Sequence, residues 1–472
     1  MLAEATALLL ASLTVVSVAG APVVPANSRP PISASAGITA AGPGAGIPAA
    51  HQPHGTALLK RLNATGSSGS GGTVATALNA AVSGAVDRAA RRDAVRSMLV
   101  DPPAPRTVAN WWGSLDGGTQ LRSAIAAPEL VGNLDGVPYA MRDQANRTVL
   151  RETISDLELG LARGTSRALQ TQDDGQLQML YSIADALGPA EANPHRQLIT
   201  LDVEGAGKAS IVVGDLMTAD FVSYLMPGMF ISVGGNMVEW VDTAARIYDE
   251  QVSWLALLDE STPGSDVITA AAPIAAADDA PTVATVAWIG YQTPHLLNVG
   301  SLDLAYEGRD AIASTLLGLD ALRGADQPHV SLLAHSYGST AAMLALSETP
   351  ARVDALAMIG SPGSPAASIA DLKVTGAVFV GEAAWDPISN SAFFGADPGE
   401  NAFGARVMSV AGNVDLITDK VLTGSAGHNE YFTPGTESMR NLALIGIGQA
   451  DLVTDGTERD ALRTLALARP GA

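Results

Sequence analysis

The chain has no cysteine among its 472 residues. Thiol nucleophiles, cysteine zinc sites and disulfides are excluded together, so any nucleophile must carry oxygen or be a lysine. Basic residues are also scarce: 27 Lys and Arg stand against 48 Asp and Glu, giving a formal net charge of −21. A phosphate backbone would be repelled rather than neutralised, so no nucleic-acid partner is expected and the charge reads as solubility. No HExxH motif and no clustered histidine-carboxylate arrangement occurs, and the adjacent pair Asp278-Asp279 lies in an alanine-rich stretch, so neither a metal nor another cofactor is expected. What is abundant is apolar surface, 47% of residues, enough for one large domain with extensions or for two.

Residues 1–21, MLAEATALLLASLTVVSVAGA, contain an apolar run ending in Ala19-Gly20-Ala21, a small-x-small pattern that a signal peptidase accepts. No Lys or Arg precedes the run and Glu4 stands there instead, so an anchoring helix or an ordinary packed helix are the alternatives to a leader. Residues 22–72 are rich in Pro, Ala, Gly and Ser without periodicity and read as a linker. Together they suggest a secreted or envelope-associated protein, with a cytoplasmic one as the alternative. A helical region is expected over residues 73–190, where Arg88, Arg91, Arg92 and Arg96 at near-helical spacing read as a solvated face.

From His195 the texture changes to short apolar runs separated by glycine turns: RQLITLDVEG, KASIVVGD, FVSYLMPGM, TVATVAWIG, VSLLAH, VDALAMIGSPG, VTGAVFVGE and ARVMSVAG. Eight strands are expected over residues 191–450, the first two as a hairpin and the later ones mostly parallel with helices on both faces, followed by a tail or helix over 451–472. GAGKAS, Gly205 to Ser210, lacks the glycine and the hydroxyl of a phosphate-binding loop and reads as the turn of the first hairpin.

In VSLLAHSYGSTAA, Val330 to Ala342, an apolar strand runs into Ser336 and then into a helix. At a strand-to-helix elbow the residues two before and two after the nucleophile must be small, and here they are Ala334 and Gly338. A serine hydroxyl needs a base that takes its proton and an acid that orients the base. Of seven histidines, His428 alone follows the last strand. Asp386, after the seventh strand, is the expected acid, with Asp397, Glu382 and Asp415 as rivals and a simple Asp-Pro turn as the plainer reading. The N-H of Tyr337, with that of Gly228 or Met229 from the Pro227-Gly228 turn after the third strand, would serve a developing oxyanion.

LMPGM, AWIGYQTP, AHSYG, IGSPG and GHNEYF, with WWGSL, GNLDGVP and RDQANR upstream, resemble the actinobacterial alpha/beta hydrolases grouped as a domain of unknown function, over roughly Asn110 to Gly446. The resemblance implies the hydrolase fold with Ser336, Asp386 and His428 as its serine, aspartate and histidine. It names no substrate. In the upstream block, Trp111, Trp112, Asn133, Asp135, Arg142, Asp143, Asn146 and Arg147 either bind substrate or, as the favoured reading, dock helices.

The sequence thus points to a serine hydrolase of the esterase or lipase type, acting on a small-molecule or lipid-like ester through an acyl-enzyme. Met226, Tyr291, Trp385 and Phe432 are candidate walls of an acyl pocket. Ser364 to Lys373 is too short for an inserted lid, so cover for the site is expected from the helical region or from Ile231 to Pro281. The alternatives are acyl transfer by the same residues and a non-catalytic binding protein of the cell envelope.

Overall fold

The computed structural model describes residues 71–82, 88–164, 166–260, 280–296, 298–389 and 391–457. The expected leader, residues 22–70 of the linker, Asp278-Asp279 and residues 458–472 of the tail lie outside the described residues. Among the described residues seven helices precede the sheet: α1 Gly71–Val82, α2 Arg88–Val100, α3 Pro105–Gly113, α4 Gly117–Ala126, α5 Pro128–Asn133, α6 Tyr139–Arg163 and α7 Arg167–Leu187. The first of these begins two residues inside the expected linker. Proline opens α3 and α5, where its missing N-H costs nothing, and Asp116 caps α4 by accepting from the Thr119 N-H. Leu78, Val108, Trp111, Trp112, Leu130 and Leu134 form a core of their own. The two tryptophans meet edge-on, and Trp111 Nε1 donates to Asn79 Oδ1 at 2.9 Å, so this aromatic pair docks helices.

The eight expected strands form one sheet: β1 Arg196–Asp202, β2 Lys208–Gly214, β3 Phe221–Met226, β4 Val283–Ile289, β5 His329–His335, β6 Ala355–Ile359, β7 Val378–Gly381 and β8 Arg406–Val407. Their order is β1-β2-β4-β3-β5-β6-β7-β8; β2 is antiparallel to both β1 and β4, and every other pairing is parallel. GAGKAS spans the β1-β2 turn, which disposes of the phosphate-loop reading. Four more helices follow the strands: α8 Val233–Glu260, α9 Asp303–Arg323, α10 Tyr337–Glu348 and α11 Glu437–Gly446. Because successive strand residues point to opposite faces, Val213, Leu333 and Ile359 join α7, α8 and α11 in one core. Val212, Leu332 and Met358 join α9 and α10 in the other. A small hairpin that the sequence reading did not anticipate, β9 Asn413–Val414 with β10 Val421–Leu422, stands apart from the main sheet. Among the described residues no helix is long and apolar enough to cross a membrane.

Both free edges of the sheet are closed. Along β1, Asn133 accepts from Leu201 N and donates to Leu201 O, both at 2.8 Å, and Asp143 accepts from Leu198 N at 2.6 Å. Asn146 donates to Leu198 O at 3.0 Å and to Gly132 O at 2.9 Å, while Arg147 donates to Arg196 O at 2.7 Å. These side chains occupy the ladder positions that another strand would fill, which is how an edge is kept from pairing with a second chain. Asp135 links the same block to the body of the domain, accepting from Arg142 and from Ser314 on α9, each at 2.6 Å. The GNLDGVP and RDQANR stretches therefore dock the helical region on the sheet through Asn133, Asp135, Arg142, Asp143, Asn146 and Arg147. At the opposite edge, β8 is covered by residues beyond the expected domain end: Ser409 N donates to Thr454 O and Gly456 N to Val407 O.

Replacing the fully buried Asn146 by alanine strands the Leu198 carbonyl oxygen and leaves Gly132 O with Arg142 Nε alone, at 3.2 Å. Asn146→Ala should lower the unfolding free energy by about 2 kcal/mol in a urea titration. An unchanged midpoint would show that the edge contacts contribute nothing.

Candidate active site

The β5-α10 junction forces Ser336 into φ 54° and ψ −130°, a conformation that L-residues avoid, costing about 1–3 kcal/mol. The surroundings hold it there. Ser336 N donates to Ile359 O on neighbouring β6 at 2.9 Å, and Ser339 Oγ donates to Ser336 O at 2.6 Å. The small flanks are needed as expected: Ala334 is fully buried, and a Cβ on Gly338 would lie 2.5 Å from Pro227 O. The elbow thereby lifts Oγ at the carboxyl end of β5, where open α/β sheets bind their ligands.

Three distant residues meet at this end. His428, in the loop between β10 and α11, places Nε2 2.8 Å from Ser336 Oγ and Nδ1 2.9 Å from each Asp386 carboxylate oxygen. With its Nδ1-H given to the carboxylate, the imidazole presents the Nε2 lone pair to the hydroxyl. Asp386 also accepts from Tyr431 OH at 2.7 Å, Ser389 Oγ at 3.0 Å and Ile388 N at 2.9 Å. Burial alone would raise this carboxyl, but the hydrogen bond and charge of His428, with those from Tyr431 and Ile388, outweigh it and hold the group below the usual carboxylate range. Burial and the Asp386 charge push Tyr431 well above the ordinary phenol value, so it remains a donor.

The rival carboxylates are occupied elsewhere. Asp397 accepts from Gly399 N in its own turn, Asp415 pairs with Arg440 at 3.0 Å, and the Glu382 carboxylate lies against Gly399.

The Pro227-Gly228-Met229 turn packs directly on the serine: a Cβ on Gly228 would come 2.6 Å from Ser336 Cβ and 3.1 Å from its Oγ. The turn is fixed by Tyr291 OH donating to Pro227 O at 2.9 Å and by Thr293 Oγ1 donating to Ile231 O at 2.7 Å. Tyr337 opens α10, so its N-H is one of the helix donors with no intrahelical acceptor.

The pocket expectation needs correction. Met226 and Tyr291 are each 1% exposed and pack in the core with α9 and α10 rather than lining an open wall. Their role is mechanical, Tyr291 as the bolt on the Pro227 carbonyl. Trp385, 79% exposed, stands at the surface beside Asp386 rather than in a cavity. Phe432 fits best: half-buried, it packs edge-on against Trp240 of α8 and against His335. That contact also brings α8, in the Ile231 to Pro281 connection, to the site. A 510 Å³ depression at the amino ends of β5 and β6, lined by His329, Val330 and Asp354, lies at the wrong end of the sheet for Ser336.

Two contributors were missed. Gly360, at the end of β6 with φ 57°, passes beneath the Asp386-His428 pair; a Cβ there would lie 2.8 Å from Asp386 Oδ2 and 3.0 Å from the imidazole. Its signal was the IGSPG stretch, read only as part of a resemblance. His335 lies against His428, its ring tilted by 41° with ring centres 4.7 Å apart, and donates from Nε2 to the His428 carbonyl at 2.7 Å. Burial first, then the neighbouring His428, pulls its pKa down to about 3, so it stays neutral and adds no like charge beside His428.

The fold is that of an alpha/beta hydrolase. A family model described as Alpha/beta hydrolase matches residues 202–396, a span that contains Ser336 and Asp386 and ends before His428. An uncharacterized protein of Mycobacterium tuberculosis is 26% identical over 412 residues, covering 76% of this chain and 58% of the relative. An uncharacterized protein of Mycobacterium bovis is 27% identical over 257 residues, covering 52% of this chain and 84% of the relative. This chain thus spans 58% of the length of the first relative. An esterase of Pyrobaculum calidifontis superposes with a TM-score of 0.31 at 15% identity, over 64% of this chain and 98% of its own. The family match and the mycobacterial relatives are what this chain is similar to, and the relatives are themselves uncharacterized.

A neutral His335 has a consequence for stability. Between about pH 3 and the unfolded value of 6.5, the unfolded chain binds a proton here that the folded chain does not. Folding stability is then complete above pH 6.5 and falls on acidification, by at most about 1.4 kcal/mol per pH unit for one proton. His335→Gln, which keeps a donor, should show a shallower decline in unfolding free energy between pH 6.5 and 4.5 than the native protein. Parallel curves would mean that His335 titrates normally.

Proposed function

We propose that the protein is a serine hydrolase that cleaves a carboxylic ester through an acyl-enzyme. The observation that carries this is the unbroken hydrogen-bond line from Ser336 Oγ through His428 to Asp386, with the elbow strain beneath it.

In this reading Ser336 Oγ forms a bond to the ester carbonyl carbon while His428 Nε2 takes its proton. The carbonyl becomes an oxyanion, held by the Tyr337 N-H and by the Gly228 or Met229 N-H. Collapse breaks the bond to the alcohol oxygen, which leaves with the proton from His428, and the acyl group remains on Ser336. Water then repeats the sequence, giving its proton to His428 and releasing the carboxylic acid. Asp386 keeps its charge throughout. Its hydrogen bonds from Tyr431, Ser389 and Ile388 favour the ionised carboxylate that an imidazolium needs beside it.

The neutral His335 supports the same reading. A positive charge on His428 in the transition state meets a carboxylate on one side and an uncharged ring on the other. Trp385 and Phe432 near the acid and the base, with Trp240 behind, suit an acyl group with apolar carbon better than a small polar one.

A fluorophosphonate probe, with the adduct located by peptide mass spectrometry, tests the nucleophile. Adduct is expected on Ser336 and should vanish in Ser336→Ala; folded native protein that takes no label would overturn the proposal. On an ester that the native protein turns over, Asp386→Asn should lower kcat by about 10³–10⁴-fold, because the imidazole loses the acceptor that fixes its tautomer.

A further inference from the structure

The chain between β8 and His428 is folded into the β9-β10 hairpin, and the outward face of that hairpin is apolar. Val414 and Val421 are registered opposite one another, so their side chains share a face, and they are 45% and 78% exposed. Leu416, in the turn, is 90% exposed, and Ile417 beside it is 43% exposed. Asn413 and Leu422 take the inward positions, half-buried. An antiparallel pair normally turns its β-branched residues to the core, and this one turns both of its valines to water, with Asn413 and Leu422 on the inward side.

The reversal is held firmly. Between the exposed Val414 and Leu416, Asp415 points inward and pairs with the buried Arg440 at 3.0 Å. Its carboxylate accepts from Ile417 N at 2.8 Å, and its backbone N-H donates to Lys420 O at 2.8 Å, closing the turn. At the base, Gly412 N donates to Glu437 Oε2 at 2.9 Å, and a Cβ on Gly412 would lie 2.6 Å from Gly424 N.

The hairpin is also continuous with the candidate site. Trp385, next to Asp386 and 79% exposed, donates its N-H at 3.0 Å to the carbonyl of Ala426, which lies between β10 and His428. One short stretch of chain therefore joins the apolar hairpin, the exposed tryptophan and both partners of Ser336.

We propose that the β9-β10 hairpin, with Trp385, docks the protein on the surface of an uncharged lipid assembly, presenting a water-insoluble acyl ester to Ser336. This rests on the hydrolase reading for what happens to the ester, though not for the docking itself. Two features select the occupant. The surface adjoins the site, so what lies against it is what the site would consume. The net charge of −21 repels anionic bilayers, and the turn adds only Asp419 and Lys420, one charge of each sign, which leaves apolar contact as the attraction.

The test uses the full chain and its Leu416→Asp/Val421→Asp variant in two assays. In the first, protein is floated with a triolein emulsion at matched concentration. In the second, turnover of a soluble acetate ester is measured. The native protein should float with the emulsion and the variant at least tenfold less, with soluble-ester turnover within twofold. Equal flotation overturns the proposal, as does a variant equally impaired on the soluble ester. A native dimer that the variant converts to monomer would assign the face to a second copy and overturn it too, and so would tighter binding to phosphatidylglycerol vesicles than to triolein. Flotation through the hairpin with no ester turnover would sink the hydrolase reading and leave the docking surface standing.

Discussion

The close crossing of β5, α10 and the turn after β3 at Ser336 is the constraint on which the rest of the site depends. A strained φ of 54° persists only because neighbouring elements hold the serine from three directions: Ile359 O at its nitrogen, Ser339 at its carbonyl, and Gly228 against its side chain. Each contact requires a missing side chain nearby. Gly338 lets α10 approach the Pro227 carbonyl, Gly228 lets the turn approach Ser336, and Gly360 lets β6 pass under the Asp386-His428 pair. Three glycines on three different strand ends therefore solve one steric problem.

The polar side of the site has a similar economy. Asp386 is buried among donors and His335 is half-buried against an imidazole, so desolvation acts on two groups of opposite type. It would neutralise the carboxylate, and four hydrogen-bond donors prevent that; it also neutralises the histidine, and little opposes that. The result is an ordered line of charge. A fixed anion lies at one end, an uncharged ring flanks the middle, and His428 bridges Asp386 and Ser336.

How much of this could be read from the chain depended on how local each signal was. The eight strands were legible because each is a short apolar run bounded by glycine, and the elbow was legible because its spacing rule spans five residues. His428 and Asp386 followed from their order after the last strands, which is topology rather than contact. The pocket residues were misjudged for a physical reason: Met226 and Tyr291 are apolar residues near strand ends, and sequence cannot tell the face of a sheet that points to a ligand from the face that points to a helix. Gly360 and His335 act through space on residues far along the chain. The β9-β10 hairpin was invisible because two-residue strands carry no periodicity, and its apolar residues face water, where patterning expects polar ones.

The helical region finds its explanation at the sheet edge. A sheet whose central strand β5 ends at Ser336 must keep its strands in fixed register, and an open edge beside β1 would invite further pairing. Here no additional strand is supplied. Asn133, Asp143, Asn146 and Arg147 reach from two helices to satisfy the backbone of Arg196, Leu198 and Leu201, whereas at the far edge the main chain of residues 454–456 pairs with β8 and its continuation. Side chains can close an edge without adding a strand that would itself expose another edge, which is why a polar block that looks like a binding motif in sequence can serve the fold.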